Sequence, residues 1–270
     1  MIDKDQIYKI TGSQITKIDT KLVTHAVTDL LIGIGENLER DDLQKTPFRT
    51  VQMLEEVLSG YYTDPMAIVE GAAIPDDGDQ LVIVRDIVFY SMCEHHLLPF
   101  MGKVQIAYLP GGNIIGLSRF PKIVDLFAHR LQLQERLTKQ IADFIDLLIK
   151  PKGVAVFIDG FHLCASMRGV KQQDLRLHTA ATIGCFKDDP NIRQQVFQSI
   201  YRQVWVWIIN LLVDMKFHFN LIAPLYEKVF GQNLATDWST LLDIKHPGIL
   251  LDAGGGTGRI SKVILKLHPD

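Results

Sequence analysis

The residues in this sequence best suited to chemistry fall in two short segments. Ser91-Met92-Cys93-Glu94-His95-His96 sets a thiol and an imidazole three positions apart, and Phe161-His162-Leu163-Cys164 supplies a second such pair much later in the chain. Thiolate and imidazole are ligands that suit zinc, and three protein ligands with a fourth position left to water distinguish a catalytic site from a structural one. Cys93, His96 and Cys164 are the expected trio. Neither segment has the spacing of a common structural zinc finger, and the competing reading is that these cysteines and a histidine simply pack. Along an extended strand Cys93 and His96 would face opposite ways, so a shared ion requires the chain to turn there, and Leu97-Leu98-Pro99 is compatible with that. The cysteine count of 3 favours thiols or metal ligands over a disulfide framework, with Cys185 read as a core thiol.

Composition narrows the class of protein. A chain of 270 residues with 47% hydrophobic content can bury one substantial core and has room for a second, smaller unit. A formal charge of -3 and a pI near 6.3 give no basic excess, so no nucleic-acid partner is expected and any bound phosphate must meet local cations. The apolar run Val204 to Val213 contains Asn210 and falls short of the roughly 20 residues that cross a bilayer, so no membrane partner is expected. The start of the sequence lacks the basic and apolar regions of a secretory signal, and the expected location is cytoplasmic.

The elements that must hold these residues follow from periodicity. Leu22, Val23, Ala26, Val27, Leu30 and Leu31 predict an amphipathic helix over about residues 18–39. Thr46-Pro47 has the form of an N-cap with proline at the first helical position, and Val51, Leu54 and Leu58 carry the stripe to Gly60. After the turn signal Pro75-Asp76-Asp77-Gly78, alternation from Leu81 predicts a strand. Val104 to Leu109 and Ile114 to Leu117 flank Pro110-Gly111-Gly112-Asn113 and read as a hairpin whose strands pair antiparallel. Ser118 is placed to cap a helix with Pro121 in its first turn, and Leu137, Ile141, Ile145 and Leu148 mark a long helix ending before Pro151. Strands are expected over Val154 to Phe161 and Thr179 to Phe186. Helices beside an antiparallel sheet make this an α+β protein.

Ser91 to His96, Gly116-Leu117-Ser118, Gln134-Glu135-Arg136-Leu137-Thr138, and His162-Leu163-Cys164 through Arg168-Gly169-Val170 together closely resemble the GTP cyclohydrolase I family. The likeness covers roughly residues 17–200. It implies a tunnelling fold over residues 66–200 behind an N-terminal helical region, 1–65, and a homo-oligomer, a decamer in the family, with sites between subunits. It further implies an enzyme that hydrolyses the imidazole ring of GTP, releases formate and rearranges the product to 7,8-dihydroneopterin triphosphate. Zn2+ on Cys93, His96 and Cys164 would lower the pKa of its water to roughly 7 for attack on C8. His95 and His162 become proton shuttles, a task that suits imidazole near neutrality. Ser118 corresponds to an acid/base serine of a later step, with helix capping as its alternative. Glu135 corresponds to the guanine anchor, with Gln134 beside it among the substrate-binding residues, and Arg168 and Arg49 to triphosphate ligands.

Two departures bear on the substrate. Arg119 and Lys122 stand where the family usually has lysine and then arginine, which keeps the charge and exchanges the donor geometry. The family's Ser/Thr-rich strand is thinned to His178-Thr179-Ala180-Ala181-Thr182. Residues 201–270 form a separate extension in which Ile249-Leu250-Leu251-Asp252-Ala253-Gly254-Gly255-Gly256-Thr257-Gly258 resembles the start of a class I, SAM-dependent methyltransferase. A complete doubly wound domain needs further strands and helices, so an incomplete Rossmann-like unit without methyl transfer is expected. A fusion remnant, a piece of a longer chain and an appended packing unit all remain open. Two rival readings of the whole are a tunnelling-fold protein that binds pterin or purine without this chemistry, and an inactive scaffold whose tail binds a partner.

Overall fold

In the computed structural model, which describes residues 4–12 and 17–200, the chain order begins with three helices. These are α1 (Lys4–Thr11), α2 (Thr20–Gly33) and α3 (Thr46–Val57), followed by a 3-10 turn at Ser59–Tyr61 and the short α4 (Met66–Val69). Then come β1 (Ala73–Pro75), β2 (Val82–Cys93), β3 (Pro99–Leu109), β4 (Asn113–Ile115), α5 (Arg119–Ala128), β5 (Leu131–Gln132) and α6 (Gln134–Ile149). The described part ends with β6 (Gly153–His162), α7 (Leu163–Ser166), β7 (Arg176–Gly184), α8 (Cys185–Asp188) and helical residues 190–200. This is the α+β architecture the periodicity predicts.

One sheet, ordered β5-β2-β3-β6-β7, carries the site. Its long strands pair antiparallel, and only β5 joins parallel, through Met92↔Leu131 and Cys93↔Gln132. On one face Val104, Ile106 and Tyr108 of β3 meet the α5 and α6 stripes, including Ile123, Phe127, Leu137, Ile141 and Phe144. On the other face Ala107, Ala155 and Phe157 pack under Phe186, Val196 and Ile200. With both faces covered, β6 reads as an unbroken buried run, Val154-Ala155-Val156-Phe157-Ile158, instead of an alternating one. α6 stops where Lys150 takes the left-handed conformation ahead of Pro151, which disfavours helix in the residue before it. No helix among the described residues is long and apolar enough to cross a membrane.

Several elements depart from expectation. α2 ends at Gly33, well short of residue 39, and starts from Asp19, whose carboxylate accepts a hydrogen bond from the Leu22 N–H. Lys45, and not Thr46, is the N-cap of α3, so Thr46 already lies within the first turn with Pro47. The expected hairpin does not form. Both edges of β3 are taken by β2 and β6, so β4 leaves the sheet at Gly112, whose φ of 111° suits only glycine, and pairs with β1 instead. The last strand runs Arg176–Gly184, shifted toward the N-terminus, and Cys185 opens α8 half-buried against the second core cluster. The methyltransferase-like reading of the C-terminal extension lies outside the described residues.

Candidate metal centre and substrate site

β2 delivers Cys93 to the end of the sheet, buried, and the chain then reverses. The Cys93 carbonyl accepts from the N–H groups of both His96 and Leu97, the Cys93 N–H donates to Leu98 O, and Leu97 sits at a φ of 53°. This tight turn is what brings His96 back over Cys93, with Nδ1 3.8 Å from the Cys93 Sγ. Cys164 arrives from the other side of β3. Strand β6 ends at His162, and the single turn α7 swings Cys164 inward. One ligand atom from each of Cys93, His96 and Cys164 lies within 4.8 Å of the others.

The electrostatics of this trio favour a cation. Burial pushes the Cys164 thiol above its ordinary pKa, and the adjacent Cys93 thiol adds to the rise through a hydrogen bond and through charge, while Arg168 opposes it. Two neighbouring sulfurs resist becoming a pair of anions unless a positive ion shares them. Two sulfurs and an imidazole nitrogen that converge in this way, with the His96 side exposed, are a donor set compatible with zinc.

The surrounding side chains hold the loop and its neighbours. Glu94, between the ligands, receives the Arg136 guanidinium at 2.7 Å, which ties the loop to the start of α6. Arg168 Nη2 lies 3.4 Å from His96 Nε2. His95 is exposed, its ring 6.0 Å from that of His96. His162 stacks on Phe100, with centroids 4.5 Å apart and planes 5° from parallel, and its Nε2 lies 2.9 Å from Gln134 Oε1. Burial lowers the His162 pKa and the nearby Glu135 charge raises it, burial being the larger effect. Gln134 is buried, whereas Glu135 is exposed in the first turn of α6. Sequence reading assigned no part to Phe100, Glu94 or Arg136. Arg136 lies inside the Gln-Glu-Arg-Leu-Thr block and Glu94 inside the Cys-Glu-His-His block, and their opposite charges were the available signal.

Other expected site residues lie elsewhere. The Tyr108 hydroxyl accepts from the Ile115 N–H, and the Tyr108 ring sits 6.1 Å from that of Phe120, so the start of α5 rests against the far end of β3. Pro99 opens β3 beside the metal loop, and nine residues at about 3.3 Å each separate it from Tyr108. Ser118, Arg119 and Lys122 therefore sit at the opposite end of the sheet from the cysteines. Ser118 precedes α5 with a helical backbone (φ -66°, ψ -11°) and makes no side-chain cap, because capping needs an extended residue that aims the hydroxyl at the first turn. The Arg119 guanidinium donates to the carbonyls of Ala67 and Glu70. Lys122 is exposed, and so is Arg49, whose side chain makes no hydrogen bond or ion pair among the described residues.

With this geometry in view, the comparisons with known proteins are decisive. Residues 23–201 match the GTP cyclohydrolase I family. The chain belongs to the GTP cyclohydrolase I family. It is 45% identical over 174 residues to GTP cyclohydrolase 1 1 of Pseudomonas aeruginosa, covering 64% of this chain and 94% of that one. It is also 45% identical over 170 residues to GTP cyclohydrolase 1 of Deinococcus radiodurans, covering 63% and 79% of the two chains. With GTP cyclohydrolase 1 of Drosophila melanogaster the identity is 46% over 171 residues, covering 63% and 53%. As a cyclohydrolase of this family the chain is a hydrolase, and the matched span contains every expected site residue from Arg49 to Arg168.

Proposed function

We propose that the chain catalyses zinc-dependent opening of the guanine imidazole ring of GTP, with loss of C8 as formate and rearrangement to 7,8-dihydroneopterin triphosphate. The observation that carries this reading is the convergence of Cys93, His96 and Cys164, on three different elements, in a member of the GTP cyclohydrolase I family. These three side chains would hold zinc. When bound, zinc supplies Lewis acidity and brings the pKa of a coordinated water to about 7.

The protein's own groups supply the rest. His162, held in one plane by Phe100, moves a proton at its free ring nitrogen as the ring opens, and exposed His95 exchanges protons with solvent. Glu135, at the N-terminus of α6, accepts paired hydrogen bonds from a ring N–H and the exocyclic amine of guanine. Arg168, beside the metal ligands, and Arg49, Arg119 and Lys122 offer cations to the triphosphate, which a chain of net charge -3 must gather locally. Ser118, with no capping bond to hold its hydroxyl, serves as acid/base in the later rearrangement.

Because Ser118, Arg119 and Lys122 lie far from the metal ligands of their own chain, a working site joins the metal end of one copy to the Ser118 end of another. A homo-oligomer is the natural arrangement, a decamer by likeness to the family, with the sheet of residues 66–200 as a tunnelling fold behind the helical region 1–65. The exposed apolar side chains of α2 and α3, Leu22, Leu30, Ile32 and Phe48, support association. Incubating the purified chain with GTP, and following formate release and pterin fluorescence with and without a chelator, tests the reading. Product is expected only without chelator, and equal product in both samples excludes the zinc role.

A further inference from the structure

Gln134 is held by a set of contacts that leaves its amide one orientation. The Nε2 atom lies 2.8 Å from Leu177 O, 3.2 Å from Ile158 O and 3.1 Å from Thr179 Oγ1. Two of these partners are main-chain carbonyls, which only accept, so the nitrogen must be the atom that faces them. The third is part of a closed circuit. Thr138 donates its hydroxyl to the main-chain carbonyl of Gln134 at 2.7 Å, so at the 2.6 Å contact between Thr138 and Thr179 the proton comes from Thr179. That leaves Thr179 Oγ1 an acceptor, which shares the two Nε2 hydrogens with the carbonyls of Leu177 and Ile158. A flipped amide would set its oxygen against two carbonyl oxygens and is excluded on the same ground.

With Nε2 so placed, Oε1 faces His162 Nε2 at 2.9 Å. An amide oxygen cannot donate, so the neutral imidazole carries its hydrogen on Nε2 and keeps its free electron pair on Nδ1. The main chain is shaped for this contact. A Cβ on Gly160 would lie 2.0 Å from Gln134 Oε1, so only glycine at this position leaves the amide its room. Phe100 fixes the ring's plane while Gln134 fixes its rotation and its tautomer.

We infer that Gln134 is a positioning residue, which acts through His162 by making Nδ1 the nitrogen available for proton transfer, and does not itself bind the purine. This reassigns a side chain expected to touch substrate. Its consequence for turnover rests on the cyclohydrolase reading, whereas the tautomer does not.

Two measurements separate these. In the full chain labelled with 15N-histidine, with His162 signals assigned by their loss in His162→Ala, the neutral ring is expected to show its N–H at Nε2; an N–H at Nδ1 overturns the inference. In Gln134→Met, which keeps the length and removes the polar atoms, kcat for GTP is expected to fall about a hundredfold with KM held within about twofold. Gly160→Ala, which leaves Gln134 in place and crowds its amide, should repeat that split. A raised KM with kcat retained makes Gln134 a substrate contact and overturns the inference. A native chain that does not process GTP at all overturns the cyclohydrolase reading instead, and the histidine spectrum still decides the role of Gln134.

Discussion

Cys164 and His162 are two residues apart yet should fail in different ways. Cys164→Ala removes one of three ligands and is expected to lose metal and activity together, because two remaining donors hold a divalent ion weakly. His162→Ala is expected to keep the metal through dialysis and to lose about a hundredfold or more in turnover, the scale of one acid/base group. Metal content per chain, measured beside GTP turnover, checks both; metal loss from His162→Ala would make that histidine part of the metal centre. Burial also gives His162 a pH signature. Its folded pKa is lowered, so between that value and about 6.5 the unfolded chain binds more protons than the folded one. The stability tied to the neutral ring is then complete above about pH 6.5 and is lost as pH falls through the folded value. In metal-free protein, His162→Gln is expected to lose less of its urea midpoint than the native chain between about pH 7.5 and 5.5. Parallel curves would mean that His162 charges freely in the fold. At this scale residue type and spacing left metal binding and simple packing both open for Cys93, His96 and Cys164, and it was the family resemblance that singled the three out. The roles of Phe100 and Gly160 were not legible in the sequence, because each depends on which side chain lies across the next strand.

The centre of the sheet tolerates little change in size. A Cβ built on Gly102 would lie 1.9 Å from the carbonyl oxygen of Asp159 on the neighbouring strand, and that oxygen belongs to backbone that cannot move alone. Gly102→Ala is therefore expected to destabilise the chain by at least about 1–3 kcal/mol, read as a lower urea midpoint. Because β3 leaves one of the two turns proposed to bind metal and β6 leads into the other, zinc retention should weaken in the same variant. An unchanged midpoint would show that the strands separate at no cost. Helices and strands were legible wherever apolar spacing repeated, as along α6 and β3. The hairpin after Leu109 was misread because local turn signals do not reveal that both edges of β3 are occupied by distant strands. The length of α2 was overestimated for a related reason. None of its residues is fully buried among the described residues, so packing within the subunit only weakly defines where the helix ends.

For the molecule as a whole, the decisive fact is that one chain keeps its proposed catalytic groups at two ends of a single sheet. Cys93, His96 and Cys164 gather where β2 and β6 end, while Ser118 follows β4 near Tyr108, at the other end of β3. If both sets act on one GTP molecule, each site takes its metal half from one copy and its Ser118 half from another. Two defective chains should then repair each other. Cys164→Ala and Ser118→Ala are each expected to be inactive when assembled alone. Co-assembled in equal amounts, half of the metal ends and half of the Ser118 ends are intact, so about a quarter of the sites carry both and about a quarter of native turnover should return. The measurement is formation of the fluorescent pterin product from GTP by the co-assembled chains against each variant alone, at matched total protein and saturating zinc. No recovery above the two separate activities would place both halves of the site within one chain, against the distance set by β3.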